Sequence, residues 1–511
     1  MLKLTNEEAT IAKSGSTSFE ATSSKTGDVI ISNVRIIDVA LETVSAPKTI
    51  LIENGAIKRI EAFSPKAPLA RNSIDAGGAF AMPGMFDMHV HLTGSIAAAG
   101  QMGPLYVANG VTSVRELWSG CWKPCGPGEY SLSDYQTVVA KFDTGALIGP
   151  RVRSLSSPLV HGAIRLRMPP DQSDESSDEP FYPPKTKADG RMLADWAKET
   201  GYNEIKVYNS VPREAYFGIT ERAKEIGITV MGHLPRAVQF EEAIKAGQRT
   251  FEHARAPAVG CSHFAEKLST LADDIIMERS RWSIRGRVTS HLSEIMEGYD
   301  PERCKRLFAL LKEYNAYLTP THVTRAFDAG ATKKDFVEDS RLRYIPSMIQ
   351  LGWFDDVVST RIIVEQISPP YDEFYQHGLK ITKLAYDAGV SIMVGSDAGD
   401  SYIFPGFSLH DELEALVKVG VSEGDVLRSA TIVPAEYLGL DPINIAEGNT
   451  ADIVLMSSNP LDDITATRQI EGVLLRGRFF NRDDLDHMLT KSEKLASSPK
   501  FNLSMMLELI Q

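Results

Sequence analysis

The sequence predicts an α/β fold: a (β/α)8 TIM-like barrel with a small β-sandwich formed by the N- and C-terminal flanks. Between Pro83 and Gly439, about eight short apolar runs alternate with longer helical patterns, which is typical of parallel strands joined by helices. Outside this region, short β-branched runs are separated by turn signals such as Asn54-Gly55. A doubly wound sheet is the competing fold. In that fold a glycine-rich phosphate loop usually follows the first strand, and no such loop follows the first strand here.

These patterns divide the chain into four parts. Residues 1–27 are rich in Ser, Thr, Lys and Glu and have no hydrophobic periodicity, so we expect a flexible tail. Residues 28–82 and 440–480 are each too short to bury a core alone, which predicts that they pair into one sandwich. Residues 83–439 form the predicted barrel, and residues 481–511 a C-terminal helical extension.

Composition excludes several classes of protein. The chain has 511 residues, of which 43% are hydrophobic and 24% are charged, as in soluble globular proteins. A net charge of −13 disfavours binding to nucleic acid or to anionic membranes, which carry the same sign. No run approaches the roughly 20 apolar residues of a membrane span, and the N-terminus lacks the apolar block of a signal peptide. We therefore expect a soluble, cytoplasmic protein, and composition says nothing about its chemistry.

The chain contains four cysteines, too few for a disulfide scaffold. Cys121 and Cys125 lie in a Gly/Pro-rich loop, where they could form a disulfide or half of a metal site. Two ordinary thiols are favoured, since no second cysteine pair or nearby histidine completes a zinc set. Cys261 and Cys304 are expected to stand alone.

Two long insertions interrupt the alternating pattern. Residues 165–190 include an acidic, Pro-rich stretch between the third strand and its helix, at the predicted active-site rim. This stretch is either a lid or a solvated loop. Residues 255–317 follow the sixth strand and predict extra helices.

Histidines at the end of the first barrel strand indicate a metal site. His89 and His91 are two residues apart, so on a strand both imidazoles lie on one face, here the barrel interior. Two neutral imidazole nitrogens that bind one ion must point the same way. An HxH pair alone is weak evidence, and its meaning depends on the neighbouring strands.

Further polar residues end successive strands of the predicted barrel. Each alone would be read as a satisfied polar residue, but barrel enzymes place catalytic groups at these strand ends. Lys206 would be costly if charged and unpaired, so either its amine is carboxylated to an anionic carbamate or its side chain reaches the barrel mouth or an acid. The remaining members are His233, His253 and Asp397.

Arg255 lies two residues beyond His253, near the end of the sixth strand. Its guanidinium could bind a substrate carboxylate in a bidentate contact, or form a rim salt bridge with the acidic insertion. His410 is expected to have a scaffold role, and His322 near the seventh strand end is left without an assignment.

The motifs PGMFDMHVHL, IKVY, GHLP, EHAR and GSDAG resemble those of the amidohydrolase superfamily, in its imidazolonepropionase-like and Xaa-Pro-dipeptidase-like branch. The resemblance covers about residues 28–478. It implies a distorted barrel with a composite sandwich, and two divalent metal ions, with zinc the expected metal. Its ligand set would be His89, His91 and Asp397 for the buried ion, His233 and His253 for the exposed ion, and carboxylated Lys206 as the bridge.

The resemblance also implies a reaction. A metal-bridging hydroxide would attack a carbonyl, Asp397 would carry the proton to the leaving nitrogen, and His161 and Tyr208 would assist the substrate. The predicted function is hydrolysis of an amide or peptide-like C–N bond in a small molecule, such as a dipeptide or an N-acyl amino acid.

Several alternatives stay open. The same chemistry serves a cyclic amide, a carbamate or urea-type compound, or a lactone. Deamination is less favoured, because mononuclear deaminases of the superfamily lack the lysine of the fourth strand. A metal-free scaffold on the same fold is the non-enzyme alternative, although every ligand position is filled. By analogy with relatives we expect a homo-oligomer.

Overall fold

The computed structural model describes residues 25–26, 28–65, 73–122, 125, 129–162, 179–270 and 291–508. Most of the predicted N-terminal tail lies outside these residues, but Lys25–Thr26 within it form a short strand. Residues 163–178, which make up much of the predicted lid or loop, also lie outside them.

The described residues form an α/β structure. Its strands are β1 Lys25–Thr26, β2 Val29–Asp38, β3 Thr43–Val44, β4 Lys48–Glu53, β5 Ala56–Ala62, β6 Ser73–Asp75, β7 Phe80–Pro83, β8 Met85–Val90, β9 Val111–Glu116, β10 Arg151–Leu155, β11 Glu204–Val207, β12 Thr229–Gly232, β13 Thr250–Glu252, β14 Tyr317–Thr319, β15 Ile453–Met456, β16 Ile470–Leu475 and β17 Arg478–Asn481.

The helices mostly connect or follow these strands. They are α1 Ile96–Ala108, α2 Leu132–Asp143, α3 Lys187–Thr200, α4 Arg213–Ile226, α5 Phe240–Ala246, α6 Arg255–Gly260, α7 Phe264–Thr270, α8 Leu292–Glu297, α9 Pro301–Glu313, α10 His322–Gly330, α11 Lys334–Val337, α12 Ser347–Ile367, α13 Tyr371–Asp387, α14 Phe407–Lys418, α15 Glu423–Ser429, α16 Ile432–Tyr437, α17 Arg482–Ala496 and α18 Pro499–Glu508. Two 3-10 helices span Ser340–Tyr344 and Ile464–Arg468.

Strands from both ends of the chain form one ten-stranded sheet. Its main order is β1-β17-β16-β15-β7-β2-β4-β5, and β3 and β6 also pair with β2. The antiparallel pairing of β7 with β15 joins the N-terminal part to the C-terminal part. In the β4–β5 hairpin, Asn54 and Gly55 have φ values of 51° and 75°, the left-handed conformation of a type I′ turn. Strands from the two chain ends therefore pair with each other, and the sandwich stays a prediction.

The middle of the chain carries two parallel sheets, with orders β10-β9-β8 and β11-β12-β13-β14. Parallel bridges from Ser156 to Glu204 and from Val160 to Val207 connect β10 to β11. Strands β8, β9, β11 and β13 are short and wholly buried, as expected for parallel strands covered by helices, whereas β10 is mostly half-buried. Seven of the predicted barrel strands are present at the expected places.

The eighth predicted strand, residues 391–399, is not a regular strand. It makes only isolated bridges, Ile392 to Leu318 and Ala398 to Val90. The backbone leaves the extended conformation at Asp397, whose φ of 67° is left-handed and interrupts a ladder. The bridges to Leu318 and Val90 place the segment between the two parallel sheets. Asp397 also donates its backbone N–H to the His89 carbonyl at 2.7 Å.

The expectation of four ordinary thiols was wrong, whereas the disulfide left open for Cys121 and Cys125 is present. Cys121 is joined to Cys125, and Cys261 is joined to Cys304, whose Cα atoms lie 4.6 Å apart. The second pair links the end of α6 to α9 across 43 residues, a contact that depends on tertiary packing and not on local spacing. Disulfides are typical of oxidising compartments, so these pairs do not favour the cytoplasmic location, which stays a prediction.

None of the described helices combines the length and the apolar character needed to cross a membrane.

Candidate metal centre

The predicted ligands meet at the carboxyl ends of the parallel strands. His89 is the penultimate residue of β8, and Lys206 the penultimate residue of β11. His233 and His253 directly follow β12 and β13. The carboxyl ends of adjacent parallel strands lie at the same edge of the sheet, so residues far apart in sequence come together there.

His89, His91 and Asp397 form a candidate metal site. Their ligand atoms all lie within 4.8 Å of one another. Asp397 Oδ1 is 3.1 Å from His89 Nε2 and 2.9 Å from His91 Nε2. Imidazole nitrogen and carboxylate oxygen are donors that zinc and other divalent ions accept, so the chemistry of this set fits a cation.

The second pair of histidines lies beside this site. His253 Nε2 is 2.8 Å from His233 Nε2, and the His89 and His253 ring centroids are 5.1 Å apart. Burial lowers the pKa of His253 to about 3, and burial also lowers the pKa of His233 well below its ordinary value. Both rings are therefore neutral at pH 7, which is the form that binds metal.

Hydrogen bonds at Nδ1 orient these two rings. His233 Nδ1 donates to Asn209 Oδ1 at 2.9 Å, and His253 Nδ1 lies 2.7 Å from Thr321 Oγ1. The His233 bond leaves Nε2 as a lone pair that faces the other imidazole. Two such nitrogens at 2.8 Å need a proton or a cation near them, which fits a metal between these side chains.

A buried ion pair orients His89. Its Nδ1 lies 2.9 Å from Glu252 Oε2, and Glu252 Oε1 accepts a hydrogen bond from Arg115 Nη2 at 2.6 Å. Thr250 Oγ1 donates to the same Oε1 at 2.6 Å. Burial would raise the pKa of Glu252, but the charge of Arg115 and the bond to His89 hold it well below its ordinary value. Glu252 is therefore an anion that fixes the orientation of the His89 ring.

Strained backbone supports the site. His253 and Asp397 have φ values of 68° and 67°, and Thr321, which contacts His253, has a φ of 43°. Residues with a Cβ atom rarely adopt this left-handed region, and such residues concentrate where side chains must be aimed.

Lys206 is only 1% exposed and lies among these groups. Its Nζ is 3.1 Å from His89 Nε2. Burial lowers the pKa of Lys206, against the opposing charges of Glu252 and Asp397. A neutral amine is the form that reacts with carbon dioxide to give a carbamate, so this environment is compatible with the predicted modification.

A cavity of about 890 Å³ lies over the cluster, and the other predicted site residues line it. The Tyr208 ring is 4.2 Å from the His233 ring, between centroids. His161 is more peripheral: its Nδ1 lies 2.8 Å from the Gly162 carbonyl, and its Nε2 lies 2.8 Å from the Tyr182 hydroxyl. Arg255 is half-buried, and burial, followed by the charges of two neighbouring arginines, lowers its pKa to about 9.

A profile of the amidohydrolase family matches residues 198–479, more than half of the chain. The chain belongs to the amidohydrolase family. Members of this family are hydrolases of C–N bonds, and dependence on two metal ions is typical of them.

Curated relatives match the amidohydrolase over short segments. An adenine deaminase of Listeria monocytogenes is 37% identical over 87 residues, which are 17% of this chain and 14% of that protein. A dihydroorotase of Geobacter metallireducens is 40% identical over 65 residues, 13% of this chain and 15% of that protein. The chain thus matches about one seventh of the length of these relatives.

Solved structures match over most of the chain. A bottromycin amidohydrolase has a TM-score of 0.66 at 20% identity and covers 92% of this chain and 91% of its own. A Xaa-Pro dipeptidase with bound methionine has a TM-score of 0.61 at 18% identity, with coverages of 89% and 100%. An ochratoxinase of A. niger has a TM-score of 0.57 at 16% identity, with coverages of 89% and 96%. These likenesses show a shared fold.

The residues that orient the ligands were not predicted from the sequence. Glu252 precedes His253 within a buried strand, and a buried acid there is a signal that could have been used. No local sequence pattern marks the other orienting residues, which are Arg115, Asn209 and Thr321.

Two further histidines named in the sequence analysis, His410 and His322, do not line the cavity. His410 links α14 to the Thr467 hydroxyl at 2.9 Å and to the Asn109 carbonyl at 3.0 Å, which fits a scaffold role. His322 is buried with its Nε2 3.0 Å from Thr382 Oγ1.

Proposed function

We propose that the amidohydrolase hydrolyses an amide or peptide-like C–N bond of a small molecule, with water as the nucleophile and two divalent cations, expected to be zinc, as cofactors. The observation that carries the proposal is the convergence of imidazole Nε2 atoms, one carboxylate and one buried lysine amine at the floor of a large cavity. Dipeptides and N-acyl amino acids are the proposed substrates.

The proposed ligands fall into two sets. His89, His91 and Asp397 would hold one cation, and His233 and His253 the other, with carboxylated Lys206 between them. When bound, the cations supply Lewis-acid chemistry that lowers the pKa of water and polarises the scissile carbonyl.

Asp397 would move the proton. Burial on its own would raise the pKa of Asp397, but the charge of His89 and the hydrogen bonds of His89 and His91 hold it well below its ordinary value. The carboxylate is therefore ionised and can accept a proton from the attacking water. It would then return that proton to the leaving nitrogen.

The cavity walls would position the substrate. Tyr208 lies against His233 and would donate its phenolic hydrogen to the substrate carbonyl oxygen. His161 would contact the substrate from the edge of the cavity. Arg255 would bind a substrate carboxylate.

A closed barrel and a sandwich are part of the proposal. The bridges from β10 to β11, from Leu318 to Ile392 and from Val90 to Ala398 support a closed ring of eight strand positions. The proposed barrel domain spans residues 83–439, and the proposed sandwich is made of residues 28–82 and 440–480.

The proposed function is tested with zinc-loaded protein and a panel of dipeptides, N-acyl amino acids, cyclic amides and adenine. We expect about two equivalents of zinc per chain and turnover of an open-chain amide, and no turnover by the Asp397→Asn variant. Turnover of only a cyclic amide or adenine would redirect the substrate class. A stably folded protein that binds no metal would support the scaffold alternative instead.

A further inference from the structure

The outward faces of α12 and α18 carry a cluster of exposed apolar side chains. Six of the eleven large apolar side chains that are exposed in the described part of the chain lie on these two helices. Five of the six are grouped by helical spacing, each between 38% and 65% exposed, and we call them the outer patch. The outer patch consists of Leu351 and Phe354 on α12 and of Leu503, Met506 and Leu507 on α18.

The apolar stripe of α12 continues beyond the outer patch. Val358 and Ile362 are half-buried and follow Phe354 by one and two turns on the same face. The opposite face of α12 is already buried, since Trp353 packs in an apolar cluster there. A helix that is apolar on both faces is typical of a helix that is buried on both sides. We therefore expect another apolar surface to cover the outward face of α12.

The two helices adjoin at the outer patch. Met348 at the start of α12 donates its backbone N–H to Asn502 Oδ1 on α18 at 3.2 Å. Leu351 lies one turn beyond Met348, and Leu503 directly follows Asn502. The apolar side chains of the two helices therefore belong to one surface.

The area of the outer patch is large for a monomer. With about 200 Å² for a fully exposed large side chain, the five exposed fractions leave about 500 Å² of apolar surface in water. The largest apolar patch of a monomeric protein is about 300–600 Å² and is often an interaction site. Each partner in a stable interface contributes about 800 Å², and the outer patch with the half-buried stripe and a polar rim supplies an area of that order.

Charged residues of opposite sign border the outer patch. Asp355 is exposed and follows Leu351 by four residues on α12, and Lys500 is exposed and precedes Leu503 by three residues on α18. A two-fold axis that packs α12 of one copy against α18 of the other brings each Asp355 next to Lys500 of the partner subunit. The surface is thus complementary to itself in charge as well as in apolar character. An anionic lipid surface fits less well, because the chain carries a net charge of −13.

We propose that the outer patch is the interface between two copies of this chain in a two-fold symmetric dimer, in which α12 of each copy packs against α18 of the other. α18 lies beyond residue 479, where the match to the family profile ends, so half of this interface comes from the C-terminal extension. The inner face of α12 carries Ile349 and Trp353, which line the cavity. The dimer contact therefore supports the cavity wall from behind.

The first test measures the mass of the full-length protein by sedimentation velocity over a range of concentrations. We expect the parent to be a dimer, or a larger assembly built from dimers. Leu351→Glu and Leu507→Glu each bury two charges in a symmetric interface, one from each copy, and should raise the dimer dissociation constant at least about 100-fold. Leu41→Glu is the matched control, because Leu41 is 72% exposed in the turn between β2 and β3 and should leave the mass unchanged.

The second test uses the two charges that border the outer patch. Asp355→Lys and Lys500→Glu each place like charges at both contacts of the dimer, and each should raise the dissociation constant about tenfold. In an equal mixture of the two variants, every contact between unlike chains again joins opposite charges, so the affinity of the parent should return. This restoration is specific to a two-fold contact between α12 and α18, and neither substitution disturbs the buried core.

Several outcomes would overturn the proposed interface. They are a monomeric parent across the micromolar range, an assembly that survives both Leu351→Glu and Leu507→Glu, an equal loss of assembly in folded Leu41→Glu protein, and a mixture of the charge variants that stays as weak as each alone. A monomeric parent that floats with vesicles of phosphatidylcholine and phosphatidylserine, and is released by Leu351→Glu, would assign the outer patch to lipid instead. Halving of the mass of a larger assembly in the Leu351→Glu protein, with an unchanged circular dichroism spectrum, would support the interface.

Discussion

At the scale of single residues, hydrogen bonds to the far ring nitrogens decide where the imidazoles point. Glu252 is a buried partner of this kind and connects His89 to the wholly buried Arg115. An anion in this place makes the imidazole a stronger donor to a cation and prevents its rotation. The geometry of the metal centre thus depends on residues that would not touch the metal.

We therefore expect Glu252→Gln to weaken zinc retention by about 10- to 100-fold. A competition titration with a chromogenic chelator measures this affinity. Glu241→Gln serves as the control, since Glu241 is exposed and pairs with Lys245 on the surface of α5. Unchanged zinc affinity in a folded Glu252→Gln protein, as judged by circular dichroism, would contradict the orienting role.

Glu412 on α14 gives a pH dependence that is separate from the metal centre. Burial raises the pKa of Glu412 to about 8, although its Oε2 accepts a hydrogen bond from Val323 N at 3.0 Å. The folded protein therefore holds this proton at pH values where the unfolded chain has released it. Its contribution to stability is present in acid and falls as pH rises from about 4.5 through about 8.

Relative to Glu412→Gln, the parent protein should lose on the order of 4 kcal/mol of unfolding free energy between pH 5 and pH 8. Urea unfolding at several pH values measures the difference. The variant Glu414→Gln, at a half-buried neighbour that pairs with Arg468, should follow the parent curve. Parallel curves for the parent and Glu412→Gln would show that Glu412 does not titrate in this window.

At the scale of elements, residues 391–399 replace the eighth strand with an irregular segment that passes very close to β8. A Cβ atom on Gly395 would lie 2.6 Å from Thr319 Cγ2 and 2.9 Å from the His89 backbone nitrogen. Only glycine permits this approach, which brings Asp397 to His89 and His91.

Gly395→Ala should therefore displace the segment, reduce metal retention and lower the melting temperature by several degrees. Gly352→Ala is a matched control, because a Cβ there meets no atom within 4 Å on the exposed side of α12. That control should be neutral or slightly stabilising. Differential scanning fluorimetry with and without zinc distinguishes the two variants.

The disulfide between Cys261 and Cys304 links α6 to α9 and encloses residues that the structure does not describe. Closing a loop of 43 residues restricts the unfolded chain, by about 4 kcal/mol in the chain-entropy account. Replacing both cysteines by alanine should lower the free energy of unfolding by roughly 2–4 kcal/mol. Denatured, unreduced parent protein should show no free thiols with a thiol reagent, and a reading of two or more would contradict the pairing.

At the scale of the whole molecule, the net charge is −13, whereas three positively charged side chains line the cavity. They are Arg236, Arg255 and Arg325. Bulk acidity disfavours polyanionic partners, whereas a local cationic wall suits a small anionic substrate. The sign of the total charge therefore does not predict the sign of the ligand.

The predicted homo-oligomer is also a property of the whole molecule. We expect light scattering to give a mass of two or more 56.1-kDa chains. A mass of one chain across the micromolar range would make the protein a monomer and confine the site to residues of a single chain.

Much of the fold and of the candidate site could be predicted from local pattern. The Asn54-Gly55 hairpin, the short buried strands and the HxH pair each depend on residues that are neighbours in sequence. The irregular conformation of residues 391–399 could not be predicted, because their apolar pattern predicts a strand. The close approach of Gly395 to His89 and the left-handed backbone of Asp397 appear only in the tertiary structure.

The sequence by itself determined the class of fold, the pairing of the two chain ends and the identity of the residues that converge at the strand ends, because periodicity and turn chemistry are local. The tertiary structure alone decided the disulfide partners, the hydrogen bonds from Glu252, Asn209 and Thr321, and the placement of Arg236 with Arg255 on one wall. These features depend on distances between residues far apart in the chain, which packing fixes and local pattern does not encode.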